Sequence, residues 1–504
     1  FESMLKRNRE IASRVTVSTP DPYLNASATM MAFALDGTWG DSTVMHGGWS
    51  WRYGYLGWRG WYGPLCYGWT DRIKSAIKTN TSLGRITGGE DEGALTSCLE
   101  WLGGCYYNMN EVFLDHTRSY FRYTNDLELM REIFPILCGI VDWENRRLQP
   151  EQASLYENCL NTWISDSHWY IQGQCAQASA YMLNANQFLA ELAARLGLDD
   201  TPYKERAKRI LAAMQQKLWM EDRGVYAEYL DTRGERLLHT EPELPTIYHT
   251  AEFGAATPLQ IGRMLDWVKA NLRHEQTPGG GTLVWSSNWV PNNGRSYTHS
   301  TYELAYAECL NLALAQFAVG RCDDGFAIMR GTLCGIFNGP TPGGLSCHAF
   351  TDGRQRGNDE FADAESMWAR TLTEGLFGIQ PNFPDNHIRI TLQPISAWNQ
   401  AHIKTPYVSY GWTRDTKSTA TLHVTWETPR NTVIHWRFPK SWGVRSVRLN
   451  RNVLTAEEEQ GVWLLVRTPA MKSGELEIVA DSLQPAVPKT EVPPRQDPLL
   501  PVWN

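Results

Sequence analysis

The sequence predicts a mainly α chain, an (α/α)6 toroid followed by an antiparallel β-sandwich. Three observations predict it. From about residue 93 to 377, apolar residues recur at helical spacing in successive segments. Those segments alternate with long connections rich in Gly, Pro, Asn and Trp. After residue 384 the texture changes to short alternating runs. A bundle normally uses short links, whereas a ring of antiparallel helix pairs gathers one set of long links around a central funnel.

The helical segments run Gly93–Arg122, Leu127–Leu148 (where Pro135 should kink or restart the helix), Trp169–Leu196 (stopped by Gly197), Tyr203–Trp219, Thr257–Leu272, Thr301–Val319, Asp324–Ile336 and Ala362–Phe377. The long connections are 36–70, 149–168, 239–256, 277–300 and 337–361. Runs such as HIRITLQPI, TATLHVTWET and ELEIVAD alternate apolar and polar residues as strands of a half-buried sheet do. The resulting division is a lead-in at 1–35, a barrel at 36–380, a sandwich at 381–481 and a proline-rich extended tail at 482–504.

Composition narrows the function. A net charge of −8 with no basic stripe argues against nucleic acid or an anionic membrane as partner. No apolar run approaches the ~20 residues of a membrane span. The 10 cysteines form no C-x-x-C pair and sit in apolar contexts, as buried free thiols do. The 12 histidines show no ligand spacing, so no metal or other cofactor is expected, with an oxygen-ligated structural Ca²⁺ left open. The start, FESMLKRNRE, has neither an initiator Met nor a signal-peptide core, as in a processed or trimmed chain. Oligomeric state is not legible.

Tryptophan is the outlier at 22 copies. Five of them fall in Gly47–Arg72, GGWSWRYGYLGWRGWYGPLCYGWTDR, where no period of 2 or 3.6 holds. Sugar rings present C–H faces that pack on aromatic planes and hydroxyl edges that need charged or amide partners. The stretch is therefore expected to form one wall of a sugar cleft, through Trp58, Arg59, Trp61, Trp69 and Asp71.

Two segments carry a resemblance. NTWISDSHWYIQGQCAQASAYMLNANQFLAELAARLG (161–197) resembles the acid-bearing loop and helix of glucoamylase-like and α-L-rhamnosidase-like enzymes. DEFADAESMWARTLTEGLFGIQPNFPDNHIRITLQPI (359–395) resembles the last barrel helix and its passage into the sandwich of α-L-rhamnosidases. The chain is thus similar to the six-hairpin glycosidases, which implies a glycoside hydrolase with two carboxyls flanking the scissile bond. The resemblance points to Asp166 as general acid, with Glu157 second; Asp166 equally suits a helix N-cap. It points to Glu360 as base, just ahead of the last inner helix. Asp363 is a further candidate, although acids in a first helical turn are also favoured by the helix dipole. The rhamnosidase Trp-Glu motif has its nearest analogue in Trp285–Trp289, which contains no acid.

Further sugar-binding candidates are Glu90, Asp91, Trp163, His168, Trp285, Trp289 and His299. Glu90 and Asp91, between glycines, equally suit capping of the next helix. Asp36, Asp41, His249, Glu252 and Glu303 are possible rim ligands. The expected partner is a carbohydrate, the expected action exo and inverting, and the implied setting periplasmic or secreted polysaccharide degradation. Two alternatives stay open. One is a sugar-acid lyase or epimerase using His116, His168, His249, His299 or His348 with Arg59 on a uronate; the other is a non-catalytic carbohydrate-binding protein.

Overall fold

The computed structural model describes residues 1–49, 51–100, 104–105, 108–149, 154–157, 173–288, 303–340, 343–357, 360–415 and 420–490. Thirteen α-helices occur among them, followed by a large, mostly antiparallel sheet region. The helices are α1 (Glu2–Ala12), α2 (Pro22–Gly37), α3 (Tyr62–Cys66), α4 (Thr70–Leu83), α5 (Met109–Thr124), α6 (Leu127–Arg147) and α7 (Ala176–Leu196). They continue with α8 (Thr201–Lys217), α9 (Leu244–Glu252), α10 (Pro258–Asn271), α11 (Tyr306–Ala318), α12 (Cys322–Asn338) and α13 (Ala362–Arg370), which runs on into a π-helical turn, Thr371–Leu376.

Odd and even helices differ in burial. In α5, α7, α9, α11 and α13 nearly every residue is buried, polar ones included, whereas α4, α8 and α10 bury one stripe and expose the other. The buried set is contiguous: α3 touches α5, α5 touches α7, α7 touches α9, α9 touches α11, α11 touches α13, and α13 returns to α3. Helix ends follow local chemistry. Thr257 and Gln260 form a reciprocal capping box on α10, and Gly197 ends α7 in the left-handed conformation.

Each buried helix is entered through a long connection, and these connections meet at one end. Gly47 bridges Phe361, Tyr55 bridges Cys98, and Ala305 bridges His348. Gly173–Cys175 pairs with Tyr229–Asp231, and the Leu244 N–H bonds the Ser286 carbonyl. The sheet region occupies the other end. There Tyr407 donates to the Leu65 carbonyl, Tyr410 to Phe377 and Gln393 to Phe317. One end of the helical ring is therefore covered, and the connections form a mouth at the other.

Several expected elements move. Residues 93–105 are not helical where described, and α5 begins only at Met109. The connections expected at 36–70 and 239–256 contain α3 and α9. Pro135 lies inside an uninterrupted α6. The 1–35 segment holds α1 and most of α2, which packs on α12 and α13, and its Thr16–Ser18 strand pairs with His402–Lys404. The sheet is antiparallel except where His387–Thr391 runs parallel to Val433–Arg437. The 19-residue strand Thr421–Pro439 shifts register between Glu427 and Thr432. Its two halves thereby pair with different strands while Trp426 and Trp436 meet at 5.3 Å.

Candidate active site

The mouth is most closely tied where the first and last connections meet, just ahead of α13. Gly48 donates its N–H to the Glu360 carbonyl (3.0 Å), Phe361 to Leu345 (2.7 Å) and Ala362 to His46 (3.0 Å). The His46 ring packs on Phe361 and Trp58, each at 4.4 Å. Between these clamps Glu360 takes φ +55°, a left-handed conformation costing a residue with a β-carbon ~1–2 kcal/mol. Its half-buried carboxylate lies over Gly48. One helical turn on, Glu365 is fully buried and its Oε1 accepts the Leu345 N–H (3.3 Å). Burial, and then the charge of Glu360, push its pKa up to about 8, so Glu365 is neutral at pH 7.

Three helices away around the six-member circuit, α7 stands across from α13. The strand Tyr156–Glu157 pairs with Gly173–Cys175, which leads straight into α7. Glu157 is half-buried, accepts a hydrogen bond from Thr232 Oγ1 (2.7 Å), and has its pKa raised by burial. Asp166, Trp163, His168, Trp289 and His299 lie outside the described residues.

Beneath the mouth the axis is filled by charge. Arg59 donates through Nη2 to Glu308 (2.7 Å), through Nε to Asp363 (3.1 Å), and through Nη1 to Asn311 (2.9 Å) and Tyr248 (3.2 Å). The Tyr248 hydroxyl donates to Glu308. Burial pushes the Asp363 pKa up to about 6, with Arg59 opposing and Glu308 reinforcing. Arg59 and Asp363 thus both have a structural duty inside the ring: a buried guanidinium needs acceptors on all sides, and these residues supply them. Deeper still, Arg370 pairs with Glu252 and Glu374 and lies 4.1 Å from the Tyr62 ring centre, while Tyr62 and Asn184 donate to Asp115.

Other expected ligands also have structural duties. Trp61 is 1% exposed and stacked on His116 at 5.1 Å; Trp58 is buried against His46 and Tyr55. Trp69 lies at the covered end between the guanidinium groups of Arg14 and Arg72, each 4.6 Å away, and Asp71 sits in the first turn of α4 at that same end. Asp36 pairs with Arg7 and Arg72. Glu90 and Asp91 pair with Arg147, and Asp91 accepts from Trp143 Nε1 (3.0 Å); they fasten their connection to α6 and cap no helix. Trp285 donates to Glu275 (2.9 Å) under Arg273. His249 lies inside α9, bonded to Tyr181 (2.8 Å), and Glu252 is at the helix's far end. Burial holds His116 and His249 well below the ordinary histidine pKa, and His46 at about 3.

Sequence reasoning misses the aromatics that do face solvent. Trp49, Trp51 and Tyr53 are exposed, in the same stretch as their buried neighbours. Their flanking by Gly47, Gly48 and Gly54, rather than by helix-forming residues, is the available signal. The Glu303–Arg356 pair, which ties the fifth connection to the sixth, is half-legible: Glu303 stands out as a rim acid and Arg356 does not. Among the described residues, no group of three or more His, Cys, Asp or Glu is placed to hold a metal ion.

Acids and aromatics around the mouth of a helical ring are the chemistry that sugar faces and hydroxyls pair with. Residues 115–263 match the mannosylglycerate hydrolase MGH1-like glycoside hydrolase domain, in keeping with the resemblance to the six-hairpin glycosidases. Similar solved structures agree in fold. The α-L-rhamnosidase of Streptomyces avermitilis superposes with a TM-score of 0.61 at 13% identity, over 92% of this chain and 42% of its own. A family 78 rhamnosidase of Bacillus sp. GL1 gives 0.62 at 11%, over 80% and 41%. The family 63 mannosylglycerate hydrolase of Thermus thermophilus gives 0.53 at 12%, over 68% and 99%. The chain thus spans well under half the length of those two rhamnosidases. No curated protein matches its sequence.

Proposed function

We propose that the closed helical circuit is an (α/α)6 toroid and that its mouth hydrolyses a glycosidic bond. Glu360 acts as general base, and the segment entering α7 supplies the acid, Asp166 first and Glu157 second. The observation that carries this reading is Glu360 itself: an acid held left-handed at the mouth, clamped to the first connection, on the wall facing α7. Backbone strain of this kind persists where the surroundings impose it, and it clusters at functional sites. Carboxyls on facing walls leave room for a water between base and anomeric carbon, which favours inversion. A ring covered at one end by the sheet region favours attack at a chain end. The family match over 115–263 supports the hydrolase class.

The lyase alternative is the weaker one. Among the described candidates, His116 and His249 are buried in aromatic stacks and resist protonation, His348 is buried beside Cys347, and Arg59 is already paired with Glu308 and Asp363. The test is turnover of Glu360→Gln, Asp166→Asn and Glu157→Gln on a glycoside panel, with product anomers followed by proton NMR. Glu360→Gln should lose ~10²–10⁴-fold in kcat at unchanged melting temperature. Retention of a tenth of the activity would remove Glu360 from the mechanism.

A further inference from the structure

The exposed aromatics of the first connection stand next to the proposed base, and the chain spends structure on keeping them there. Arg52 donates to three backbone carbonyls, Gly37 (2.9 Å), Gly48 (2.5 Å) and Trp39 (3.0 Å), and so folds the loop back onto the end of α2. Trp51 is held at φ +54°, another left-handed residue with a bulky side chain. One face of its ring stacks on buried His46 at 5.6 Å and 26°, yet 39% of the residue remains exposed. Trp49 is 67% exposed, and its neighbour Gly48 is in backbone contact with Glu360. Exposed indoles on a strained, pinned loop beside the proposed base point to a ligand that covers them.

We infer that Trp49 and Trp51 form a stacking platform for a second pyranose ring, the one joined to the sugar at Glu360. This deepens the glycosidase reading and rests on it for the placement of the first ring. Among the described residues the nearby cations are committed: Arg52 to its three carbonyls, Arg59 to Glu308 and Asp363, and Arg356 to Glu303. A flat indole and spent cations select an uncharged sugar face over a carboxylate such as glycerate or a uronate. The substrate class is therefore a neutral oligosaccharide or glycoconjugate of at least two rings.

The test is binding to disaccharides and to the matching methyl glycosides of D-mannose, D-glucose and L-rhamnose, read by tryptophan fluorescence and saturation-transfer NMR. For at least one sugar the wild-type chain should bind the disaccharide about tenfold more tightly than the methyl glycoside, as expected for one added ring–indole contact. Trp49→Ala and Trp51→Ala should erase that preference and leave methyl glycoside binding as it was; Trp51→Phe should keep part of it. No disaccharide preference for any of the three sugars, or a preference that survives both alanine variants, overturns the platform. Hydrolysis of the same disaccharides, wild type against Glu360→Gln, is scored separately. A tryptophan-dependent preference without hydrolysis sinks the glycosidase reading alone, and hydrolysis without the preference sinks the platform alone.

Discussion

Gly48 and Glu360 leave no space for a β-carbon between them. One placed on Gly48 would lie 2.1 Å from Glu360 Oε2 and 3.1 Å from Glu360 Cβ. The nearest atom is the end of a flexible side chain, so Gly48→Ala displaces a carboxylate more readily than it unfolds a loop. The expected outcome is a loss of ~10–100-fold in kcat, as misplacement of a reacting group by about 1 Å produces, with the melting temperature within a few degrees of wild type. Steady-state kinetics beside a thermal melt check it; full activity in the alanine variant would show that the Glu360 carboxylate is not placed for catalysis.

Arg59 holds the centre of the ring. Arg59→Met leaves the Glu308 and Asp363 carboxyls buried beside each other with their shared cation gone. Breaking a buried ion pair from one side costs ~3–5 kcal/mol, so the variant should unfold at markedly lower urea. A midpoint equal to wild type would contradict this.

Trp61 separates the two roles of the aromatic stretch. Fully buried against Phe113 and His116, it should cost ~3–5 kcal/mol on replacement by alanine. If soluble Trp61→Ala enzyme is obtained, its KM should be unchanged. A raised KM at undiminished stability would restore Trp61 to the sugar wall.

Stability should fall as pH rises from about 6.5 to 8, above the range in which buried His46, His116 and His249, whose pKa values are lowered, act in the opposite direction. Glu365 keeps its proton to about 8 and Asp363 to about 6 in the folded chain, while both ionise near 4 when unfolded. Between those values the folded state holds more protons. Each group's contribution is therefore fully present below the unfolded pKa and lost as pH climbs through the folded one, at up to ~1.4 kcal/mol per pH unit. Buried Glu111 and Glu228, also shifted upward, act in the same direction. Asp126 and Asp385 are held low by partners and matter only below their ordinary range. Thermal melts across this window should show the decline, and Glu365→Gln should flatten it; a Glu365→Gln slope equal to wild type would exclude Glu365 as a contributor.

Much of the architecture is legible because it is written locally. α7, α8, α10 and α12 follow apolar spacing, with a glycine stop on α7 and a capping box on α10, and the change to period 2 announces the sheet region. α3 and α9 are not legible: both are buried on nearly every side, so neither carries a polar stripe to reveal a period. Residues 93–105 mislead in the opposite sense, since Ala94, Leu95 and Cys98 are buried by the ring without being helical.

The candidate site divides along the same line. Glu360 is legible as an acid ahead of the last inner helix, and the aromatic stretch as a feature that no regular element explains. Which of its tryptophans meets solvent is not, because Trp51 and Trp58 have the same kind of neighbours in sequence and part company only when the ring closes. Closure puts Trp58, Arg59 and Trp61 inside, against His46, Asp363 and His116, and leaves Trp49 and Trp51 at the mouth. Helix order, the sheet region and the acids at helix entrances follow from the chain alone, since each is set by neighbours within a few residues. Which charges neutralise one another and which rings stay exposed was left to the folded ring. Those outcomes depend on contacts far apart in the chain, such as Arg59 with Asp363 (|i−j| = 304).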